Sequence, residues 1–244
     1  MLLQACINGA RRHWEHPAIP ITAADIAADV RAVVSEGAEA VHVHVKDAAG
    51  ADTLATEPLE RVLAAVRDEA PRLPIGVTTG AWALPDPADR VAAIKSWKKL
   101  PDFASVNWHE EGAEEVGRAL LEQGVDVEAG LWNEPAVEVW ARSPLRNLCA
   151  RVLVEIPDGP GAATTTAIAR RLLTRVGRAI GDRMPVLLHG EGSSCWAALS
   201  DAARLGLPTR IGLEDTLVLP NGSPAPGNAA LVSAALRLIE LERS

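Results

Sequence analysis

Aromatic residues are scarce in this sequence. They make up 3% of its 244 residues, as seven Trp and one Phe, and Tyr is absent. Because apolar residues nevertheless reach 48%, Ala, Val and Leu must fill most of a large core. The length fits one larger domain or two small ones.

Cysteine is also rare, and the three that occur (Cys6, Cys149 and Cys195) are far apart and lack CxxC spacing. An odd, scattered set of thiols excludes a disulfide framework and fits a reducing compartment. The N-terminus lacks the basic region and apolar run of a signal peptide, and no apolar stretch reaches the length of a membrane span. We therefore expect a cytoplasmic protein that does not associate with membranes.

Basic residues are outnumbered, with 24 Lys and Arg against 32 Asp and Glu, which gives a formal charge of −8. Nucleic-acid binding needs a basic surface, so this balance argues against a nucleic-acid partner. Small anionic substrates remain compatible with it, because a few local arginines can reverse the sign of the charge inside a cleft.

Short apolar runs alternate with amphipathic helical patterns along the chain. The apolar runs predict strands at 2–7, 40–45, 74–79, 103–106, 126–131, 152–156, 185–189 and 209–212. The amphipathic segments predict helices at 22–36, 57–68, 87–99, 112–123, from about 135, at 162–180, 196–205 and 227–241. Thr22, followed three residues later by Asp25, is placed to cap the first helix.

Eight strand–helix units without a linker or low-complexity tract predict an α/β fold, a single (β/α)8 TIM barrel over residues 1–244. The main alternative is a doubly wound open sheet, which usually has fewer strands and a Gly-rich phosphate turn after the first. Here the first strand continues into Asn8-Gly9-Ala10-Arg11-Arg12, which is not a GxGxxG sequence. The barrel is therefore favoured.

The second predicted strand contains two histidines on one face. In Val41-His42-Val43-His44-Val45 the side chains alternate, so His42 and His44 point to the side opposite the valines. Two imidazoles at i and i+2 can bind one divalent metal ion. The alternative is an ordinary half-buried strand whose histidines are satisfied by hydrogen bonds.

In a TIM barrel the chemistry lies at the carboxyl ends of the strands, which suggests a third ligand. Glu214 directly follows the eighth predicted strand, which lies beside the first two in a closed barrel. A site made of His42, His44 and Glu214 leaves positions open for a substrate oxygen. We expect Zn²⁺, with Mn²⁺ or Fe²⁺ as alternatives, and we expect Asp215 either to support the metal ligands or to accept a proton beside the metal.

Other polar residues near the strand ends complete the candidate set. We expect Lys46 and Glu128 to be catalytic together with Asp215. We expect the substrate to be bound by Arg11, Thr78, Thr79, Gly80, Asn107 and His189. For Lys46 three interpretations stay open: an anion-binding cation, an imine-forming amine, or an ion pair with Asp47 or another acid at the rim.

Several segments together resemble the β-keto acid cleavage enzyme family. They are Asn8-Gly9-Ala10-Arg11, His16-Pro17-Ala18-Ile19-Pro20-Ile21-Thr22, Gly37-Ala38 before His42-Val43-His44, Thr78-Thr79-Gly80, and Gly212-Leu213-Glu214-Asp215-Thr216. The resemblance implies a zinc-dependent TIM barrel that condenses a β-keto acid with acetyl-CoA and cleaves the adduct to acetoacetate and a new CoA thioester. It also implies a homo-oligomer, a tetramer or a dimer.

The resemblance assigns roles by position. His42, His44 and Glu214 match the metal ligands, Asp215 matches the catalytic acid, and the segment 78–80 matches the part that holds the carboxylate of the keto acid.

The sequence also departs from the family pattern. Lys46 stands where the family often has Arg, Arg11 stands where some relatives have an acid, and the segment after strand seven lacks the Gly-x-Gly-Arg sequence that many members carry. Arg and Lys are not equivalent where a carboxylate is bound through two hydrogen bonds. A metal-dependent aldolase or hydrolase that does not use acetyl-CoA, and a barrel without catalytic activity, are therefore the alternatives. The side chain of the keto acid stays open.

Overall fold

The computed structural model describes residues 2–159, 161–180 and 184–244, and eight parallel strands form the centre of this part of the chain. The strands are β1 (Leu3–Cys6), β2 (Ala40–Val43), β3 (Ile75–Thr78), β4 (Phe103–Asn107), β5 (Asp126–Leu131), β6 (Arg151–Ile156), β7 (Val186–Gly190) and β8 (Thr209–Ile211). Each predicted strand is present, with ends that agree to within two residues.

A helix follows each strand. The helices are α1 (Ala23–Glu36), α2 (Thr56–Glu69), α3 (Pro87–Ser96), α4 (Ala113–Gln123), α5 (Glu134–Arg142), α6 (Ala162–Ile180), α7 (Cys195–Leu205) and α8 (Asn228–Arg243). The predicted cap of α1 is confirmed: Thr22 Oγ1 accepts from Asp25 N at 3.1 Å, and Thr22 N donates to Asp25 Oδ2 at 3.0 Å. No helix among the described residues has the length and apolar character needed to cross a lipid bilayer.

The strands are arranged as a nearly closed barrel. The order is β7-β6-β5-β4-β3-β2-β1-β8, and every paired neighbour is parallel. The two ends of this sheet meet where Leu188 N donates to Pro208 O at 3.0 Å and Thr209 Oγ1 donates to Leu188 O at 2.8 Å. The predicted (β/α)8 barrel is thereby confirmed, and β8, β1 and β2 are neighbours.

The second strand is shorter than predicted and ends at Val43. Beyond it the backbone turns towards the first β–α loop, because His44 N donates to Asn8 Oδ1 at 2.9 Å. The chain then reverses, and Lys46 pairs with Asp52 in an isolated antiparallel bridge. His44 therefore lies in a loop rather than in the strand, although it stays on the same side of the barrel as His42.

The lower part of the barrel interior is polar. Glu128 on β5 is fully buried, and Arg151 Nε donates to its Oε1 at 2.6 Å. The Arg151 guanidinium also donates to Gln4 on β1 and lies 4.5 Å from the ring centroid of Phe103. This layer joins β1, β4, β5 and β6 across the barrel below the carboxyl ends of the strands.

The ion pair in this layer predicts a stability effect. We expect Glu128→Gln to lower the free energy of unfolding by about 3 kcal/mol, because the Arg151 charge then stays in the interior without a carboxylate. Urea denaturation followed by circular dichroism measures the change. The exposed Glu36→Gln serves as control and should change the value by less than about 0.5 kcal/mol. Equal stability of the two variants would contradict a buried ion pair.

Candidate metal centre and active site

A cavity of about 320 Å³ opens at the carboxyl ends of the strands. It is large enough for a small organic acid. Its lining comprises Ala10, Arg11, Glu15, His42, His44, Thr78, Trp82, Ser105, Asn107, Trp132, Leu153, Glu155, Glu191, Arg210 and Glu214. The cavity therefore lies at the end of the barrel where TIM-barrel enzymes have their active sites.

The structure brings the three predicted metal ligands together at this cavity. His44 Nε2 lies 3.6 Å from Glu214 Oε1, and His42 Nε2 lies 4.0 Å from the same oxygen. One potential ligand atom from each of the three residues lies within 4.8 Å of the others. The grouping follows from the fold, because β2 and the end of β8 flank β1.

Two atoms of this group have unused hydrogen-bonding capacity. Within the described part of the chain, His42 Nδ1 and Glu214 Oε2 are buried and have no hydrogen-bond partner. Buried polar atoms are nearly always paired, so an unpaired nitrogen and an unpaired carboxylate oxygen on one cluster indicate a missing partner. Two imidazoles and one carboxylate are also a donor set that suits Zn²⁺. The residues present therefore fit a divalent metal ion.

Burial and mutual charge set the protonation of the cluster. Burial lowers the pKa of His42 to about 3, against the opposing effect of Glu214. Burial also disfavours the charged form of His44, but the Glu214 charge and the hydrogen bond to Asp52 outweigh it and raise its pKa to about 9. Burial would raise the pKa of Glu214, yet Arg210 and the two histidines hold it well below its usual range. Glu214 is thus a carboxylate at neutral pH.

Arg210 on β8 connects the cluster to a second group of charged residues. Its Nη2 atom donates to Glu214 Oε1 at 2.8 Å and lies 3.3 Å from Asp215 Oδ1. On the other side of the group, His189 Nε2 lies 3.1 Å from Glu155 Oε2. All of these side chains are at least nine-tenths buried, so one arginine and one histidine face three carboxylates with little exposure to solvent.

His189 has two competing neighbours at Nδ1. Arg210 Nε donates towards this atom from 3.1 Å, which requires it to be unprotonated, whereas Asp215 Oδ1 at 3.3 Å requires a proton there. Burial and the Arg210 charge lower the pKa of His189, but Glu155 and Asp215 outweigh them and raise it to about 9. The protonated form, bonded to Asp215, is therefore favoured at neutral pH.

The predicted substrate-binding residues divide into two groups. Arg11, Thr78 and Asn107 line the cavity. Thr79 Oγ1 instead donates to Ser105 O at 2.7 Å, and Gly80 N donates to Thr78 Oγ1 at 3.1 Å. The Thr79 and Gly80 groups are therefore engaged within the protein. His189 is likewise outside the lining, because it is buried among Glu155, Arg210 and Asp215.

Of the three predicted catalytic residues, none lines the cavity, and two are engaged away from it. Glu128 belongs to the polar layer below it and is paired with Arg151, so the geometry gives it a structural position. Lys46 Nζ donates to Gly9 O at 2.5 Å, to Arg11 O at 3.1 Å and to Asp52 Oδ1 at 2.5 Å. All three protons of the ammonium group are therefore donated to acceptors within the protein. Of the three interpretations of Lys46, this arrangement favours the ion pair, and the acid is Asp52 instead of Asp47.

Asp215, the third predicted catalytic residue, is fully buried next to Glu214. Its Oδ1 contacts Arg210 and His189, whereas its Oδ2 has no hydrogen-bond partner among the described residues. A carboxylate with one fixed and one unpaired oxygen can accept a proton without losing its position.

Two charged residues of the site, Arg210 and Glu155, are absent from the candidates that the sequence indicates. Arg210 and Glu155 lie inside strands, and each is a charged residue among apolar neighbours in Thr209-Arg210-Ile211 and Val154-Glu155-Ile156. That alternation is the available signal in the sequence, because a charged residue between uncharged neighbours of a barrel strand can point into the interior. Glu191 also lines the cavity, and burial together with Glu155 and Asp215 raises its pKa to about 8.

The sequence was compared with models of known protein families. The model for the beta-keto acid cleavage enzyme matches residues 1–243, which is nearly the whole chain. The chain belongs to the beta-keto acid cleavage enzyme family. The resemblance inferred from its motifs is thus confirmed. Membership of this family also confirms that the protein is a carbon–carbon bond cleaving enzyme.

Curated relatives agree with this assignment. A "3-keto-5-aminohexanoate cleavage enzyme" of Fusobacterium nucleatum is 23% identical over 98% of this chain and 90% of its own length. A protein of the same name from Acetoanaerobium sticklandii is 22% identical over 98% of this chain and 91% of its own length.

Solved structures support the fold. The apo structure of ObcA matches with a TM-score of 0.72 and 16% identity, over 91% of this chain and 61% of the ObcA chain. The ternary complex of ObcA with a C4-CoA adduct and oxalate matches with a TM-score of 0.70 and 17% identity, over 93% of this chain and 64% of the other. This chain thus spans less than two thirds of the length of ObcA.

The protonation of the cluster predicts a pH dependence of metal binding. Below pH 9 the metal-free protein carries a proton on His44 that a cation must displace, so metal affinity should rise with pH. We expect the Zn²⁺ affinity to increase by about tenfold per pH unit between pH 6.5 and 8.5, as measured by competition with a chromophoric chelator. An affinity that is flat over this range would contradict the protonation of His44.

Proposed function

We propose that this protein is a zinc-dependent β-keto acid cleavage enzyme that uses acetyl-CoA. In this proposal a β-keto acid condenses with acetyl-CoA, and the adduct is cleaved to acetoacetate and a new CoA thioester. The observation that carries the proposal is the cluster of His42, His44 and Glu214 at the cavity. It occurs in a chain that belongs to the beta-keto acid cleavage enzyme family. The names of the curated relatives and the CoA adduct bound by ObcA support it.

The metal would be held by the three clustered side chains, which have the free donor atoms that it requires. When bound there, Zn²⁺ would supply a Lewis acid for the keto oxygen of the substrate. The two imidazoles are neutral ligands and Glu214 adds one negative charge, so a divalent site of this kind keeps a net positive charge.

The polar wall formed by β3 and β4, beside the metal group, suits the carboxylate of the keto acid. Thr78, Ser105 and Asn107 line this part of the cavity on β3 and β4. Thr78 Oγ1 accepts from Gly80 N, so its own proton is free to point to a ligand. Asn107 is fixed because its Nδ2 donates to Glu110 Oε1 at 2.9 Å. Positioned donors of this kind hold a substrate at low entropic cost.

Asp215 and Arg210 would handle the proton. The proton of the carbon between keto and carboxylate groups must leave before condensation, and the unpaired Asp215 Oδ2 is a candidate acceptor. Arg210 lies between Asp215 and Glu214 and contacts both carboxylates, and its charge holds the pKa of the buried Glu214 below its usual range. An arginine thus reaches the site from β8, although the segment after β7 lacks one.

The cationic groups of the cavity fit a small anionic substrate. Arg11 and Arg210 both contribute to the lining, in a chain whose overall charge is negative. Local cations inside such a cavity can attract a keto acid and the phosphates of CoA despite the net charge. Association into a homo-oligomer and a cytoplasmic location remain predictions.

The first experiment tests the reaction. The zinc-loaded protein is incubated with acetyl-CoA and a panel of β-keto acids, and acetoacetate is measured. We expect acetoacetate with at least one keto acid, and a loss of about 100-fold or more in its rate of formation for Glu214→Gln and His44→Ala. The exposed Glu36→Gln should keep the rate of the unaltered protein. Absence of acetoacetate across the panel would favour an aldolase or hydrolase that works without acetyl-CoA.

Metal analysis of the same variants tests the site independently of the substrate. His44→Ala and Glu214→Ala should retain less metal after purification than the unaltered protein, because each removes one of three ligands. Unchanged metal content in both variants would reject the proposed centre. Reconstitution with Zn²⁺, Mn²⁺ or Fe²⁺ identifies the metal that supports the rate.

A further inference from the structure

Asp52 is a buried carboxylate next to the candidate metal centre, and the proposed reaction gives it no role. It lies in the loop between β2 and α2, and its side chain is 5% exposed. Its Oδ2 accepts from His44 Nδ1 at 2.7 Å and from Trp82 Nε1 at 2.8 Å, and its Oδ1 accepts from Lys46 Nζ at 2.5 Å. Three donors from different parts of the chain thus converge on one carboxylate.

The contact with Asp52 determines which nitrogen of His44 is free. A carboxylate only accepts hydrogen bonds, so the proton of a neutral His44 imidazole must be on Nδ1. The unprotonated Nε2 then faces Glu214 Oε1 at 3.6 Å, where the ligand atoms converge. We propose that Asp52 is the positioning residue of the metal centre, which fixes the tautomer and the ring orientation of His44. This inference rests on the metal centre of the proposed function.

The loop that carries Asp52 is built to hold it there. The antiparallel bridge between Lys46 and Asp52 reverses the chain, and the turn between them is closed by Asp47 Oδ1, which accepts from Ala49 N at 2.8 Å and Ala51 N at 2.9 Å. Lys46 also donates to the carbonyls of Gly9 and Arg11, so the same ammonium ties Asp52 to the first β–α loop. This network explains a buried lysine without access to the cavity.

His44 is held from a second direction by Trp82. The two rings are stacked with centroids 5.9 Å apart and an interplanar angle of 10°. Because Trp82 also donates to Asp52, one indole both covers the imidazole and fixes its partner.

The other histidine lacks such support. Among the described residues no carboxylate hydrogen-bonds to either ring nitrogen of His42, and Glu214 Oε1 lies 4.0 Å from its Nε2, so the two imidazoles of the centre differ. A carboxylate behind a metal-binding histidine strengthens binding, and its loss typically reduces metal affinity by about 10–100-fold. We expect this effect to arise at His44, which is the histidine with a carboxylate behind it.

The test compares Asp52→Asn with Asp68→Asn, which removes the same charge from the exposed surface of α2. In Asp52→Asn one carboxylate oxygen becomes an amide NH2 group, which must face either His44 Nδ1 or Lys46 Nζ. Because both of these atoms donate hydrogen bonds, one of the two contacts is lost. We expect this variant to bind Zn²⁺ about 10–100-fold more weakly in competition with a chromophoric chelator. Asp68→Asn should bind Zn²⁺ with the affinity of the unaltered protein. Trp82→Phe, which keeps the stacking and removes one donor, should show a smaller loss than Asp52→Asn.

A second measurement separates positioning from a general loss of structure. In the zinc-loaded protein, ¹⁵N-imidazole NMR should show a slowly exchanging proton on His44 Nδ1, and this signal should disappear in Asp52→Asn. A zinc affinity of Asp52→Asn within twofold of the unaltered protein would overturn the inference. The absence of a proton on His44 Nδ1 in the zinc-loaded unaltered protein would also overturn it. This second measurement does not need the variant, so it tests the inference even if Asp52→Asn does not fold. An unaltered protein that binds no Zn²⁺ would instead reject the metal centre itself.

Discussion

The Glu214 carboxylate is placed, with little exposure to solvent, where the last strand of the barrel meets the first. Its charge is balanced by Arg210 on one side and by the protonated His44 on the other, and this balance keeps it ionised in the interior. The backbone makes room for it: Gly9 has a φ of 56°, and a Cβ at that position would lie 2.6 Å from Glu214 Cγ. The rest of the site is arranged around this carboxylate.

The same carboxylate explains why so many charged residues occupy the barrel interior. Arg210 offsets Glu214, and its further contacts then bring in Asp215 and His189. His189 in turn is balanced by Glu155. Each buried charge is acceptable only because the next one neutralises it, since an unpaired ion in such a place would be strongly destabilising. The interior is therefore a connected electrostatic unit, and a substitution at one member alters the protonation of the others.

The sequence was informative where local patterns determine the structure. The strand–helix alternation predicted the barrel, the Thr22 cap was correct, and Glu214 could be chosen because β8 adjoins β1 in any closed barrel. The remaining features depend on contacts between distant segments. Asp52 reaches His44 only because its loop folds back on itself, which no periodicity records. Thr79 shows a different limit: proximity to a strand end did not reveal that its hydroxyl is used by Ser105 O.

The position of the candidate centre has a consequence for how the barrel forms. His42 and His44 follow the second strand, whereas Glu214 follows the last, so the donor set is incomplete until β8 has docked beside β1. A chain that still lacks its final strand cannot offer the carboxylate, and a metal ion held by all three residues would be acquired only after the barrel closes. Once acquired, it would link the two ends of the fold and oppose reopening of that junction by mass action. Metal loading and completion of the barrel would thereby be coupled events.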